Sequence, residues 1–217
     1  MVVTGAASGI GKAIAMMAAS QGANVIVADL NEVGGIATVD EIVAAGGKSE
    51  FHKLDLTNRE SINTFAAGVL ASVGTVDILV NSAGWDLLER FVDSKPETWD
   101  MVIAINYTGP VHLCHHFAPG MMEKGKGKIV NIASDAGRIG SPSEAVYSGA
   151  KGGIIAFTKT LAREVARGGV NVNCISPGPT RTALYYAQSE SVQQNLAKAI
   201  PLRRVGEPDE VAMAVLF

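Results

Sequence analysis

Short runs of β-branched and aliphatic residues alternate along the chain with longer stretches whose apolar positions recur every three or four residues. The short runs predict strands at residues 1–4, 25–28, 50–54, 76–80, 128–133 and 170–175. The longer stretches predict helices near 10–21, 32–46, 58–73, 96–123 and 144–167. Strict alternation of strand and helix predicts a doubly wound α/β fold, with a parallel sheet, right-handed crossovers and helices on both faces. The strands are nearly continuous in apolar residues, as in a sheet buried on both sides. No internal repeat or low-complexity linker interrupts the pattern, so residues 1–217 read as one domain. A segment near 180–200, between the last strand and a final helical run, is the natural substrate lid. Only Met1-Val2-Val3 precede a glycine turn, and the chain stops inside the amphipathic run that opens at Glu207. A helix that ends without a cap or a following strand predicts a truncated chain lacking the final strand of such a sheet.

Composition narrows the classes. Hydrophobic residues make up 47% and charged residues 18% of 217 residues, which argues for a packed core and against disorder. A net charge of −3 without a basic run gives nucleic-acid binding no electrostatic support. No apolar run approaches a membrane span and no signal peptide is visible. Cys114 and Cys174 lie in apolar stretches and read as thiols of a reducing cytoplasm.

Ligands of such sheets bind beyond the carboxyl ends of the strands, at the switch point, and the polar motifs fall there. Gly5, Gly9 and Gly11 lie in Thr4-Gly5-Ala6-Ala7-Ser8-Gly9-Ile10-Gly11, between the first strand and first helix. Glycines there allow a tight turn and close backbone approach, and the helix N-terminus offers free N–H groups to a pyrophosphate. A glycine cluster alone reads equally as a plain turn, but its position points to a dinucleotide. Asp29 ends the second strand, where a carboxylate accepts the ribose hydroxyls of NAD and repels a 2′-phosphate. Residues 28–34 hold no Lys or Arg to receive that phosphate. The plainer reading of Asp29 is a helix N-cap or turn residue.

Tyr147 and Lys151 sit one helical turn apart and share a face. A free tyrosine ionises near pKa ~10, and a neighbouring ammonium favours phenolate. Ser134, just past the fifth predicted strand, is placed to donate to a substrate oxygen. Asn106, in the middle of the predicted 96–123 helix, reads either as a water holder beside Lys151 or as a helix–helix hydrogen bond. His112 and His116 share a helical face, but no cysteine or carboxylate cluster completes a metal site with them. The proposed chemistry needs no metal, and subunit contact is the alternative role.

With these residues in place, the chain resembles the short-chain dehydrogenase/reductase family over essentially its whole length. The likeness rests on Thr4-Gly5-x-x-x-Gly9-Ile10-Gly11, Asp29, Asp55-Leu56, Asn81-Ser82-Ala83-Gly84, Asn106, Ser134, Tyr147-x-x-x-Lys151 and Pro177-Gly178. It implies catalytic roles for Ser134, Tyr147, Lys151 and Asn106. It places Gly5, Ser8, Gly9, Ile10 and Gly11 around the cofactor, with Asp29-Leu30 and Asp55-Leu56 on its adenosine side. Asp55 would meet the adenine amino group, Asn81 would brace the central strands, and Ala83 and Gly84 would line a ribose. Lys151 would also hold the nicotinamide ribose, while Pro177, Gly178, Thr180 and Thr182 would contact carboxamide and phosphate. Family members that use NADP often carry Arg before the second glycine, and Ser8 here agrees with Asp29 in favouring NAD. The family's subunit contacts imply an isologous homodimer or homotetramer.

Within the family, Ala83-Gly84-Trp85-Asp86 and the Ser134–Tyr147 stretch most resemble the 2-hydroxycyclohexanecarboxyl-CoA dehydrogenases. That implies NAD-dependent oxidation of a cyclic β-hydroxyacyl-CoA, with Tyr147 acting as phenolate. Trp85, Asp135, Arg138 and Glu144 are the candidate substrate contacts. Arg138, Arg181 and Arg203 either meet CoA phosphates or are solvated surface charges. Leu184, Tyr185 and Tyr186 either face the pocket or close the lid on itself. The alternatives to this function are a 3-oxoacyl-thioester reductase, acting on an acyl-carrier-protein substrate, and a non-catalytic NAD-binding protein.

Overall fold

The strands Val2–Thr4, Asn24–Asp29, Ile78–Asn81 and Gly127–Ile132 carry apolar side chains on both faces, so they can be stable only between two layers of helices. The computed structural model describes residues 1–217. Its strands are β1 (Val2–Thr4), β2 (Asn24–Asp29), β3 (Lys48–Lys53), β4 (Ile78–Asn81), β5 (Gly127–Ile132) and β6 (Val170–Ile175). All pairings are parallel, in the order β3-β2-β1-β4-β5-β6. The order reverses between β1 and β4, so the crevice at their carboxyl ends is the switch point. The helices are α1 (Gly9–Ser20), α2 (Glu32–Ala44), α3 (Arg59–Val73), α4 (Pro96–Ile103), α5 (Gly109–Glu123), α6 (Ala136–Ile139), α7 (Ala145–Val165), α8 (Ala183–Tyr186), α9 (Glu190–Ala199) and α10 (Pro208–Leu216). None is long and apolar enough to cross a membrane.

Alternate residues of each strand feed two cores. Val2, Ile26, Leu79 and Ile129 pack under Phe65 of α3 and Leu113, Phe117 and Met121 of α5. Val3, Val25, Val27 and Val80 pack under Ile14 and Ala15 of α1, Ile42 of α2 and Ala212 of α10. Side chains of the loops set the helix starts. Asn31 caps α2 by accepting from the Gly34 N–H, and Asn58 caps α3 by accepting from Glu60 and Ser61.

The predicted single helix over 96–123 is two helices. A π-helical turn, Ala104–Thr108, separates α4 from α5, and Pro110 stands at the start of α5. Such a wide turn admits one extra residue and re-aims the side chains within it. Asn106 lies in it, fully buried.

A buried polar chain ties the sheet to α7. Asn81 Nδ2 donates to Asn131 Oδ1 at 2.8 Å, Asn131 Nδ2 to Thr158 Oγ1 at 2.9 Å, and Thr158 Oγ1 to the Ile154 carbonyl at 2.8 Å. Asn131→Ala leaves two buried groups without their partners. A loss of about 1–3 kcal/mol is expected in urea unfolding, with an unchanged m-value.

Residues 182–205 form a closed excursion. Thr180 pairs with Gly206, the Arg181 N–H donates to the Gly206 carbonyl, and the Gly206 N–H to the Pro179 carbonyl, both at 2.9 Å. Arg181 pairs with Glu207, and Arg204 grips Glu210 with two bonds of 2.8 and 2.7 Å. Arg203 is turned onto the Lys198 carbonyl. Arg181 and Arg203 are thus spent within and at the foot of this segment.

Candidate active site

The glycine turn is shaped by close backbone contact. A Cβ on Gly11 would stand 2.2 Å from the Gly5 carbonyl oxygen, and one on Gly5 would stand 2.7 Å from Ala83 Cα. Gly5 and Gly9 also take φ of 66° and 54°, a left-handed backbone that favours glycine. The turn therefore lies flat against β4 and delivers the first N–H groups of α1 to the crevice. Ser8, at the N-cap of α1, makes no side-chain capping bond. Across from it, the Thr182 methyl lies 3.1 Å from where a Gly9 Cβ would stand. Thr182 likewise caps nothing with its hydroxyl. Thr4 Oγ1 accepts the Ser82 and Ala83 N–H groups at 3.0 and 3.1 Å, locking β1 to the end of β4. The sequence reading had Thr4 only as part of the motif.

Asp29 accepts the Ala7 N–H at Oδ2 (3.0 Å) and the Asn31 N–H at Oδ1 (2.9 Å). The N-cap of α2 is Asn31, so Asp29 is not a cap. Its carboxylate is held at the rim of the glycine turn with a lone pair left on each oxygen. Leu30 beside it is 58% exposed, an apolar surface open to a ligand. Asp55 uses Oδ1 for the Thr57 N–H and hydroxyl at 2.8 and 2.6 Å, while Oδ2 has no protein donor. Leu56 is buried against Gly109. Thr180 is buried, with its hydroxyl on the Gly178 carbonyl, and the Pro177 carbonyl accepts the Asp135 N–H. An uncapped helix N-terminus, a carboxylate one strand away and a cleft that glycine keeps open together fit a dinucleotide.

The other motif residues converge on the next stretch of the same crevice. Ser134 follows β5, and its Oγ accepts the Ala136 N–H at 3.2 Å. Tyr147 and Lys151 lie on the first turns of α7. Lys151 is buried and donates to the Ile132 carbonyl at 2.8 Å, with Nζ 5.6 Å from the Tyr147 ring centre. Burial pushes its ammonium down to about 8. Asn106 and Lys151 both face Gly84, where a Cβ would stand 3.3 Å from Asn106 Oδ1 and 3.6 Å from Lys151 Nζ. Asn106 Nδ2 donates to the Trp85 carbonyl at 2.6 Å and to the Val102 carbonyl at 2.9 Å. Both amide hydrogens are therefore spent, on a loop and on its own helix. Only Oδ1, which accepts a long 3.4 Å bond from the Trp85 N–H, is left for a water.

The Tyr147 hydroxyl is shifted away from the expected phenolate. The Tyr147 hydroxyl is pushed up to about 12, first by burial, with Glu144 and Asp86 adding to it and Ser134 opposing. Lys151 does not offset this, because it lies over the ring rather than at the oxygen and is turned to Ile132.

A cleft beside Tyr147 is lined by Asp86, Glu89, Phe91, Trp99 and Glu144. Of the four substrate candidates only Glu144 borders it. The Trp85 backbone is clamped by Asn106, and Arg138, 64% exposed, faces Asp135 at 3.7 Å on α6. Asp86 and Glu89 were not singled out in the sequence, where only their closeness to Asn81–Gly84 marked them. Tyr185 donates to the Gln193 carbonyl at 3.4 Å, closing the lid on itself. His116 meets Asn63 at 3.0 Å.

Comparison with known proteins gives the family. A family model described as enoyl-(acyl carrier protein) reductase matches residues 5–217. A 3-oxoacyl-[acyl-carrier-protein] reductase of Thermotoga maritima is 36% identical over 216 residues, spanning 100% of this chain and 88% of that protein. A subunit of (2S)-[(R)-hydroxy(phenyl)methyl]succinyl-CoA dehydrogenase from Thauera aromatica is 36% identical over 217 residues, spanning 100% and 87%. A metagenomic short-chain oxidoreductase solved with NADP superposes with a TM-score of 0.84 at 36% identity, covering 99% of this chain and 87% of that one.

Proposed function

Because the chain belongs to the short-chain dehydrogenase/reductase family, we propose that it reduces a 3-oxoacyl thioester to the 3-hydroxyacyl thioester. That it is an oxidoreductase of the ketone/alcohol pair with a nucleotide cofactor follows from the family itself. The thioester is proposed from the names of the relatives, which act on acyl-carrier-protein or CoA substrates. The direction is proposed from the Thermotoga maritima relative, a reductase by name, and a Tyr147 hydroxyl raised by burial suits the proton donor that reduction needs.

The residues of the glycine turn would hold the pyrophosphate, and Asp29 and Asp55 the adenosine end. When bound, the reduced nicotinamide supplies a hydride. On the protein's side, Tyr147 gives its hydroxyl proton to the carbonyl oxygen while that oxygen gains charge. Ser134 donates to the same oxygen, so the charge meets donors already in place. Lys151 has one hydrogen on Ile132 and two left for the nicotinamide ribose. Asn106 holds the Trp85 backbone at the mouth of the site.

The cofactor is proposed to be NAD(H). Asp29 is pinned by two backbone N–H groups, so its charge cannot swing away from a 2′-phosphate. Asp29→Ala should shift the NADH/NADPH preference by about tenfold to a hundredfold toward NADPH. An unchanged ratio of kcat/KM values would remove the ribose assignment.

A second reading is favoured by the Thauera aromatica relative, a dehydrogenase of a β-hydroxyacyl-CoA by name: oxidation of a β-hydroxyacyl-CoA, of which the cyclic 2-hydroxycyclohexanecarboxyl-CoA is the candidate from the sequence. Nucleotide oxidation with a linear 3-oxoacyl thioester, beside nucleotide reduction with the cyclic CoA thioester, separates the two. Turnover of only the cyclic substrate would replace the first reading with the second.

A further inference from the structure

The cleft beside Tyr147 holds three carboxyl groups and no lysine, arginine or histidine. Asp86 is 7% exposed, and its Oδ2 has no hydrogen-bond donor. Glu89 Oε1 is buried in the same condition. The Glu89 N–H donates to the Ser143 carbonyl at 3.1 Å, which clamps the segment after β4 against the residue preceding Glu144. Ser143 is held at φ 67° to make that contact, a backbone that non-glycine residues avoid. Glu144 stands at the N-cap of α7, yet its carboxyl caps nothing. It is thus free to face Asp86. Two facing carboxyls with no cation between them cannot both ionise cheaply, and the cost falls on the more buried Asp86. Burial and the Glu144 charge accordingly push the Asp86 carboxyl up to about 7.

We propose that Asp86 and Glu144 are positioning residues for Tyr147: a buried and a half-buried carboxyl in one cation-free cleft, whose negative charge keeps the Tyr147 hydroxyl protonated and extends carbonyl reduction into the alkaline range. The inference rests on Tyr147 being the proton donor of the proposed reaction. Asp86, raised to about 7, is ionised above neutrality, so its charge is present where Tyr147 would otherwise ionise. The groups facing Tyr147 are few. From α7 come Lys151, turned to Ile132, and Glu144; from the segment after β4 come Asp86 and Glu89. The turn after β5 brings the Ser134 hydroxyl, and on α6 Asp135 and Arg138 neutralise each other.

Tyr147 ionisation can be read without substrate, as the ultraviolet tyrosinate signal of the full chain minus that of its Tyr147→Phe variant. In Asp86→Asn and Glu144→Gln that ionisation should fall by about one pH unit, and further in the double variant. The alkaline limb of kcat/KM for 3-oxoacyl-thioester reduction should move down with it, and Glu144→Asp should restore both. Unmoved ionisation in folded neutral variants overturns the pair. Moved ionisation with no thioester turnover would keep the pair and sink the substrate reading, whereas thioester reduction with an unmoved limb does the reverse. If the neutral variants do not fold, the unaltered chain still decides. Its Asp86 carboxyl is raised in the folded state, so the folded protein keeps a proton that the unfolded chain releases above pH ~4. Stability should therefore decline as pH rises from ~4 through about 7. No such decline in the unfolding midpoint would overturn the pair as well.

Discussion

Replacing Tyr147 by Phe should lower kcat for ketone reduction by about 10²–10⁴-fold while nucleotide binding stays near its original strength. The hydroxyl is the proton donor beside Ser134, and the ring carries the contact with Lys151. Phe keeps the ring under Lys151 and leaves the Lys151 bond to Ile132 intact. The lost step is proton delivery, so kcat and kcat/KM should fall together with little change in KM. The measurement is a pair: nucleotide binding by fluorescence and turnover with a linear 3-oxoacyl thioester. A variant that keeps normal turnover would refute the assignment of Tyr147. A variant that also loses nucleotide binding would show that the hydroxyl is structural.

Gly11→Ala should be among the most damaging single methyls in the chain. In a helix Ala normally gains about 1 kcal/mol over Gly. Here the new Cβ would lie 2.2 Å from the Gly5 carbonyl oxygen and 2.6 Å from its carbon. Neither side can yield, because Gly5 is itself pressed against Ala83 Cα and held at φ 66°. The clash is backbone on backbone, so the cost should reach the upper end of overpacking, about 3 kcal/mol. The expected result is a Tm lower by roughly 6–12 °C, together with loss of nucleotide binding, since the first turn of α1 must lift off β4. Gly22 is the control: a Cβ there meets nothing within 4 Å, although its φ of 88° remains costly. Nucleotide affinity should survive at Gly22 and not at Gly11.

The sequence reading of the lid and of the helix after β4 shows where pattern ends. Residues 96–123 keep one helical periodicity, and nothing in it marks the π-helical turn at Ala104–Thr108. That turn is decided by the Trp85 backbone, whose N–H and carbonyl need the Asn106 amide. Tyr185 had two open readings, and its bond to Gln193 chooses the inward one. Asp29 also has two, and the cap at Asn31 removes only the helix-cap part of the plainer one, since the Asn31 N–H on Oδ1 makes Asp29 a turn residue as well.

Strand and helix alternation, the parallel doubly wound sheet and the grouping of Gly5, Gly9, Gly11, Asp29, Ser134, Tyr147 and Lys151 at its carboxyl edge were determined by the sequence alone. Hydrophobic period and turn chemistry are local, and the right-handed crossover rule converts them into topology. The protonation of the site was not legible in that way. Lys151 one turn from Tyr147 predicts a phenolate, yet the Tyr147 hydroxyl is raised to about 12. Spacing along one helix fixes which residues are near, but not which way an ammonium points or what buries it. Lys151 turns to a β5 carbonyl, and Asp86, distant in sequence, is folded against Glu144 by the loop after β4. Charge and burial act through space, so only the tertiary structure decides that the Tyr147 hydroxyl is raised rather than lowered.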